Sequence, residues 1–267
     1  MKQLLTYFGL TYGISWTICL PLYGHIFGLN NLPTLPFHHA IGGLGPLIAA
    51  FLTTWIFLKN EGIRSLLAKC ILIKPLIYLI IALFSPFILV FMAACISYFV
   101  DKTPIQLSGL LRVKEFPQFN FLTFLIFNIV FFGFGEEVGW RGFALPRLQK
   151  NVNALTASIV LTLFWAVWHI PLFFYRTGYT TMGLGGMAGW FFSLLTGSIL
   201  LTWLYNSSKG SILICAVFHS TIDMAFTADM ADKNIVNYMG FLITVWGILT
   251  VIILKPKNLA TSKTVKY

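Results

Sequence analysis

Apolar residues run along this chain in long blocks with short polar punctuation. A helix of about 20 apolar residues crosses about 30 Å of hydrocarbon. Runs of that kind lie at roughly 4–27, 38–58, 76–100, 119–150, 153–175, 187–205, 211–228 and 236–254. The pattern predicts an all-α, polytopic transmembrane helix bundle of about eight spans, with no soluble domain and no internal repeat. The longest polar stretches are Lys59–Lys74, Asp101–Asn120 and the tail from Lys255. Pro104 and Pro117 make Asp101–Asn120 a loop, with a short interfacial helix expected around Leu107–Val113.

Composition agrees with that pattern. Of 267 residues, 58% are hydrophobic and only 10% are charged, which excludes an ordinary soluble domain. Charge then gives the orientation. Among the 18 Lys and Arg residues, only Lys102, Arg112, Lys114, Arg176 and Lys233 fall in loops on one side of the predicted spans. By the positive-inside rule the other side, with both termini, is cytoplasmic, and the chain is expected to be a multi-pass cell-membrane protein. The net charge of +10 reflects this topology and an attraction to membrane lipid. No basic stripe with interleaved aromatics lies outside the membrane, so nucleic acid is not an expected partner. The first span follows only Met1-Lys2-Gln3 without a small-x-small cleavage pattern, and reads as an uncleaved signal anchor. Cys19, Cys70, Cys95 and Cys215 form no C-x-x-C pair, so neither a disulfide framework nor a thiolate metal site is indicated.

One region breaks the apolar pattern. Phe121 to Gly135 holds no charge, and then Glu136, Glu137 and Arg141 appear within six residues. His169, His219 and Asp223 are further ionisable residues inside apolar runs. If unpaired, the four ions Glu136, Glu137, Arg141 and Asp223 would cost roughly 10–14 kcal/mol in a bilayer. That cost points to a functional site. The i, i+4 spacing places Glu137 with Arg141, and His219 with Asp223, on common helix faces. Glu137 and Arg141 read as an ion pair. Glu136 points about 100° away, without an obvious partner in its own helix, and is the candidate proton acceptor. At 1.5 Å per residue, Glu136 lies about 21 Å from the end of its helix at Lys150, His169 about 24 Å from Asn153 and His219 about 13 Å from Gly210. These depths allow one shared cavity. His25, His38 and His39 fall near the outer membrane edge and receive no role. Gly135-x-x-x-Gly139 and Gly185-x-x-x-Gly189 have the spacing of closely packed helices.

In this order the residues resemble the CPBP family of intramembrane proteases, which includes type II CAAX prenyl endopeptidases and bacterial proteins linked to bacteriocin processing and immunity. Glu136, Glu137 and Arg141 match its Glu-Glu-x-x-x-Arg motif. Trp165 and His169 match an aromatic four residues before a histidine, where Phe is usual. His219 and Asp223 match His-x-x-x-Asn/Asp. Trp168-His169-Ile170-Pro171 and Tyr205-Asn206-Ser207-Ser208-Lys209-Gly210-Ser211-Ile212-Leu213 agree as context. The resemblance covers roughly 119–228. It leaves 1–118 as helices without motifs, and 229–267 as a last helix and a basic cytoplasmic tail.

The resemblance implies an intramembrane endopeptidase. Glu136 and His169 would activate a water, His219 and the Asp223 position would stabilise the oxyanion, and Arg141 would hold Glu137. An ionised aspartate would repel an oxyanion, so Asp223 is expected to orient His219 instead. No cofactor is expected. The alternative is zinc held by His169 and His219 with Glu136 or Glu137, since two histidines and a glutamate form a catalytic zinc set, although His-Glu-x-x-His is absent. The expected partner is a hydrophobic, prenylated or leader peptide, or a membrane-protein substrate. A cavity open to the cytoplasm would suit a prenylated carboxy-terminal peptide. Two other readings stand beside this one. The first is a non-catalytic immunity or scaffold protein of the same fold. The second is a proton-coupled transporter, which the confinement of polar residues to one half of the chain disfavours.

Overall fold

The computed structural model describes residues 1–110, 112, 116–261 and 265. Among these there is no strand. Eight long helical segments follow one another: α1 (Lys2–Tyr23), α2 (His38–Cys70), α3 (Leu76–Asp101), α4 (Phe121–Leu148), α5 (Ala154–Tyr175), α6 (Leu184–Ser207), α7 (Ile212–Thr227) and α8 (Lys233–Leu254). Four of their starts are written as side-chain caps. Asn120, Asn153, Ser211 and Asp232 each accept a hydrogen bond from the backbone N–H three residues on, at 2.9–3.1 Å.

Six of the segments (α2 to α6 and α8) are long and apolar enough to cross a membrane, and the chain is an integral membrane protein. The expected eight spans need a correction at two places. Helix α1 has sufficient length, but its Thr, Tyr, Gly and Ser positions dilute its apolar character. Helix α7 has only 16 residues. Its residues 214–221 are all buried, so it is sheathed by protein on every side and need not match a bilayer's thickness. Helix α2 also runs past its expected end at 58. It breaks at Lys59 (φ 53°, ψ −147°) and then resumes to Cys70, with Gly62 and Leu66 buried. In the loop before α4, a single 3₁₀ turn at Leu107–Gly109 stands where the interfacial helix was expected. Leu111 and Val113–Glu115 lie outside the described residues, as do Lys263 and Lys266 of the basic tail.

The helices alternate in direction, so every connection falls at one of two ends. At the first end Arg147 donates to the Gln3 side chain at 2.8 Å, and Lys69 to the Tyr205 hydroxyl at 3.2 Å. Ser211 donates to the Leu72 carbonyl. The chain after α8 returns to this end. Ala154 and Leu155 donate their backbone N–H groups to Lys257 and Pro256 carbonyls, and Gln149 donates its amide to the Val265 carbonyl at 2.9 Å. Met1 and Val265 therefore both lie toward this basal end. Of the expected tail, residues 255–261 fold back, with Leu259 fully buried. At the distal end, Phe37 stacks on Phe119 and packs near Phe116, while Asp229 donates its N–H to the Arg112 carbonyl.

Candidate active site

The broken geometry of α4 positions the carboxylates. Residues Ile129–Phe134 and Val138–Ala144 are π-helical, on either side of the short α-helical turn Gly135–Glu137. Wide turns of this kind are rare and concentrate at functional sites. Two glycines let the wide turns press against neighbours. A Cβ on Gly133 would lie 2.6 Å from the Ala216 carbonyl oxygen and 2.5 Å from the Ser220 hydroxyl of α7. A Cβ on Gly139 would lie 2.6 Å from the Pro46 carbonyl oxygen of α2. The close approach at Gly133 brings α4 within side-chain reach of His219. Gly135 is tight in the same way, 2.9 Å from the Gly43 carbonyl oxygen, so the first expected small-residue pair does pack. The second does not: a Cβ on Gly185 or Gly189 would meet nothing within 4 Å.

Glu137 forms the buried anchor. Its Oε1 accepts from Arg141 Nη1 at 2.9 Å and from His219 Nδ1 at 2.7 Å. The Glu137 and Arg141 side chains are fully buried. Arg141 also donates to the Ser198 hydroxyl at 3.1 Å, and its guanidinium lies 4.6 Å from the Trp165 ring centroid. Cation–π contact of this kind compensates part of the desolvation of a buried guanidinium. Breaking such a pair would strand the other charge, so the ion pair read from the spacing is a fixed unit.

Glu136 has a different environment. Its Oε2 accepts from the indole N–H of Trp165 at 2.7 Å and of Trp140 at 3.3 Å. The second of these corrects the reading that its own helix offers it no partner, since Trp140 stands at i+4. Its Oε1 faces His219 Nε2 at 3.9 Å, too far for a hydrogen bond.

The histidines follow from these contacts. His219 Nδ1 must carry a proton, because a carboxylate only accepts. His219 Nε2 is thereby turned toward Glu136 and toward Asp223 Oδ2 at 3.5 Å. Asp223, the expected partner of His219, makes the longer of two carboxylate contacts to the ring. Glu137 holds the ring at 2.7 Å through Nδ1, and Asp223, 40% exposed, lies at the opposite nitrogen. His169 is fixed by its own turn. Its Nδ1 donates to the Trp165 carbonyl at 2.7 Å, which leaves Nε2 as the acceptor of a neutral ring. The Trp165 ring stands 5.6 Å from both imidazoles.

Glu136, Glu137, Arg141, His219 and Asp223 are therefore joined by direct contacts, and His169 adjoins them through Trp165. The residues that helix depth allows to meet do lie together, although His219 sits only two turns into α7. The reason is that α7 starts inside the bundle, with Ile212 fully buried. Among the described residues, no three of His, Cys, Asp and Glu are arranged to hold a metal ion.

Sequence reading named Trp165 only as the motif aromatic, without its hydrogen bond to Glu136, and missed Trp140, Ser198 and the distal rim. Trp140 was legible as the i+4 neighbour of Glu136, whereas nothing local marks Ser198. At the rim Trp190 packs on His169 and Tyr179, with ring centroids 5.8 and 6.0 Å apart. Burial pushes the Tyr179 phenol up to about 12, so it stays a neutral hydrogen-bond donor.

Residues 118–225, which carry all of these groups, match the family model described as type II CAAX prenyl endopeptidase Rce1-like. This segment is similar to that family. A CAAX prenyl protease 2 from Methanococcus maripaludis is 33% identical over 93 residues, 33% of this chain and 34% of that protein. Lysostaphin resistance protein A from Staphylococcus epidermidis is 26% identical over 222 residues, 81% of this chain and 54% of its own length. The protein of the same name from Staphylococcus haemolyticus is 24% identical over 220 residues, 80% of this chain and 56% of its own. The chain thus spans between a third and just over half the length of these relatives. The matched segment holds every intramembrane ionisable group of the site, and the first three helices add none.

Proposed function

We propose that the protein is an intramembrane endopeptidase in which Glu136 activates a water. The observation that carries this reading is the asymmetry between the adjacent carboxylates. Glu137 Oε1 is held by both Arg141 and His219, while Glu136 keeps Oε1 turned toward His219 Nε2 across 3.9 Å. In the reaction a water bound between Glu136 and His169 Nε2 gives its proton to Glu136, and its oxygen bonds to the peptide carbonyl carbon. His219, protonated on both nitrogens, donates Nδ1–H to Glu137 and Nε2–H to the developing oxyanion. When the tetrahedral intermediate collapses, the C–N bond breaks and Glu136 returns the proton to the leaving amine.

General base catalysis contributes about 10²–10⁴ to a rate, and one oxyanion donor about 10²–10³. The two indole donors hold Glu136 in one rotamer, so the base is positioned before substrate arrives. A hydrophobic, prenylated or leader peptide, or a small membrane protein, is the substrate class. The reading routes no step through zinc. A non-catalytic immunity role on the same fold is the second reading, favoured by the resistance-protein names of two relatives.

The test is cleavage of a membrane-peptide library by purified protein, with Glu136→Gln and chelator-treated samples beside it. Loss in the variant with retention under chelation supports the proposal. Loss under chelation moves the reading to zinc at His169 and His219. Full activity in Glu136→Gln overturns it.

A further inference from the structure

The two ends of the bundle differ in charge and in packing, and the site communicates with only one of them. Below the Glu136–His219 layer, toward the basal end, Trp140, Phe143, Leu161, Leu200, Leu204 and Cys215 are buried to 1% exposure or less and close the interior. Gln149 and Asn206 then clasp each other by reciprocal amide hydrogen bonds of 2.8 and 3.2 Å beneath that plug. Nothing as large as a peptide passes this way without unfolding the core.

Toward the distal end the packing opens. Glu137 and Arg141 are sealed, Glu136 and His219 keep 5% and 7% of their side chains accessible, and Asp223, one turn further out, reaches 40%. The first half of α6 lies along this opening and is barely packed. Its buried residues begin only at Thr196, whereas Leu184, Met187 and Phe192 are exposed. Ile170 and Phe174, beside the mouth, are exposed and apolar.

Charge assigns the ends to the two sides of the membrane. Lys2, Arg64, Lys69, Lys74, Lys209 and Lys255 all belong to the basal end, whose only carboxylate among the described residues is Glu61. The distal connections hold Asp229 and Asp232 beside Arg112, Arg176 and Lys233. The folded chain thus groups the basic segments spatially, which the positive-inside rule places in the cytoplasm.

Resting on the endopeptidase reading, we propose that the site takes its substrate from the non-cytoplasmic half of the bilayer. The substrate is a membrane-embedded or membrane-anchored polypeptide whose scissile bond lies in the outer leaflet or at the outer surface, entering between α5 and the loose half of α6. Within the substrate class proposed above, a prenylated or leader peptide would reach Glu136 from the outer leaflet. Trp190, packed edge-on against His169 and Phe173 at the start of that path, is the side chain such a segment must pass.

Cysteine labelling tests the direction of access without requiring any hydrolysis, so a failed protease reading leaves it decidable. Thr181→Cys at the distal loop, Asn151→Cys at the basal turn and Asp223→Cys at the mouth are each expressed in a bacterial inner membrane. They are exposed to a membrane-impermeant maleimide, with the wild-type chain setting the background of its four native cysteines. In intact spheroplasts Thr181→Cys and Asp223→Cys are expected to label at least tenfold faster than Asn151→Cys, which reacts only once the membrane is opened. Labelling of Asn151→Cys first, with Thr181→Cys protected, would reverse the orientation and overturn the proposal. Labelling of Thr181→Cys with Asp223→Cys silent would overturn the access path even with the orientation correct. Should Asp223→Cys fail to accumulate, Phe174→Cys, exposed beside the same mouth, reports access there.

Discussion

The basal and distal halves of this bundle are made of the same helices, yet they are built for opposite ends. In the basal half, buried polar side chains pair directly: Arg141 with Glu137 and Ser198, Gln149 with Asn206, Arg147 with Gln3. In the distal half, Glu136, His219 and Asp223 approach one another at 3.5–3.9 Å without closing into hydrogen bonds. Satisfied buried networks rigidify a core, while incompletely satisfied ones mark sites where another group is meant to enter. Two adjacent glutamates on one helix therefore have different surroundings, and on the proposed reading one is the anchor and the other the base.

Substitutions that separate the two halves sharpen this contrast. The largest effect expected is on turnover. Glu136→Gln keeps both indole contacts through its amide oxygen and should lower cleavage by about 10²–10⁴ with an unchanged amount of protein in the membrane. Arg141→Ala comes next, as it leaves Glu137 buried and uncompensated. It should destabilise the fold by about 3–5 kcal/mol, read as a fall in thermal unfolding temperature in detergent and in accumulated protein. The glycines give the cleanest contrast between regions. Gly139→Ala places a Cβ against Pro46 and the Tyr7 hydroxyl and should cost about 1–3 kcal/mol. Gly189→Ala meets empty space and should be neutral or stabilise by up to about 1 kcal/mol. Equal effects at the two glycines would show that α6 packs as tightly as α4. The smallest change belongs to Asp223→Asn. A long contact to a partly exposed carboxylate is worth about 0–1 kcal/mol, so cleavage should change by about fivefold or less.

Much of this was written in the chain, and the limits have physical causes. Apolar run length marked every helix, because backbone hydrogen bonds must be satisfied within each helix in a bilayer. It could not distinguish a lipid-facing span from α7, whose apolar residues face protein. The i, i+4 rule gave the Glu137–Arg141 pair, and the cost of buried charge singled out Glu136, Glu137, Arg141 and Asp223. What spacing could not give was which partner wins when several compete. His219 had a carboxylate four residues away in its own helix, yet the π-helical turns of α4 and the Gly133 contact deliver Glu137 closer. Nor could it distinguish the two small-residue pairs, since Gly135-x-x-x-Gly139 and Gly185-x-x-x-Gly189 are identical in pattern and opposite in packing.

The central claim is that Glu136 performs chemistry while Glu137 holds structure. Its most direct test is a paired measurement of cleavage rate and thermal unfolding for Glu136→Gln and Glu137→Gln. The account predicts that Glu136→Gln unfolds at the wild-type temperature with cleavage reduced at least 100-fold, a scale set by general base catalysis, whereas Glu137→Gln unfolds at a distinctly lower temperature. Wild-type cleavage by Glu136→Gln, or an unfolding temperature that falls equally in both variants, would contradict it.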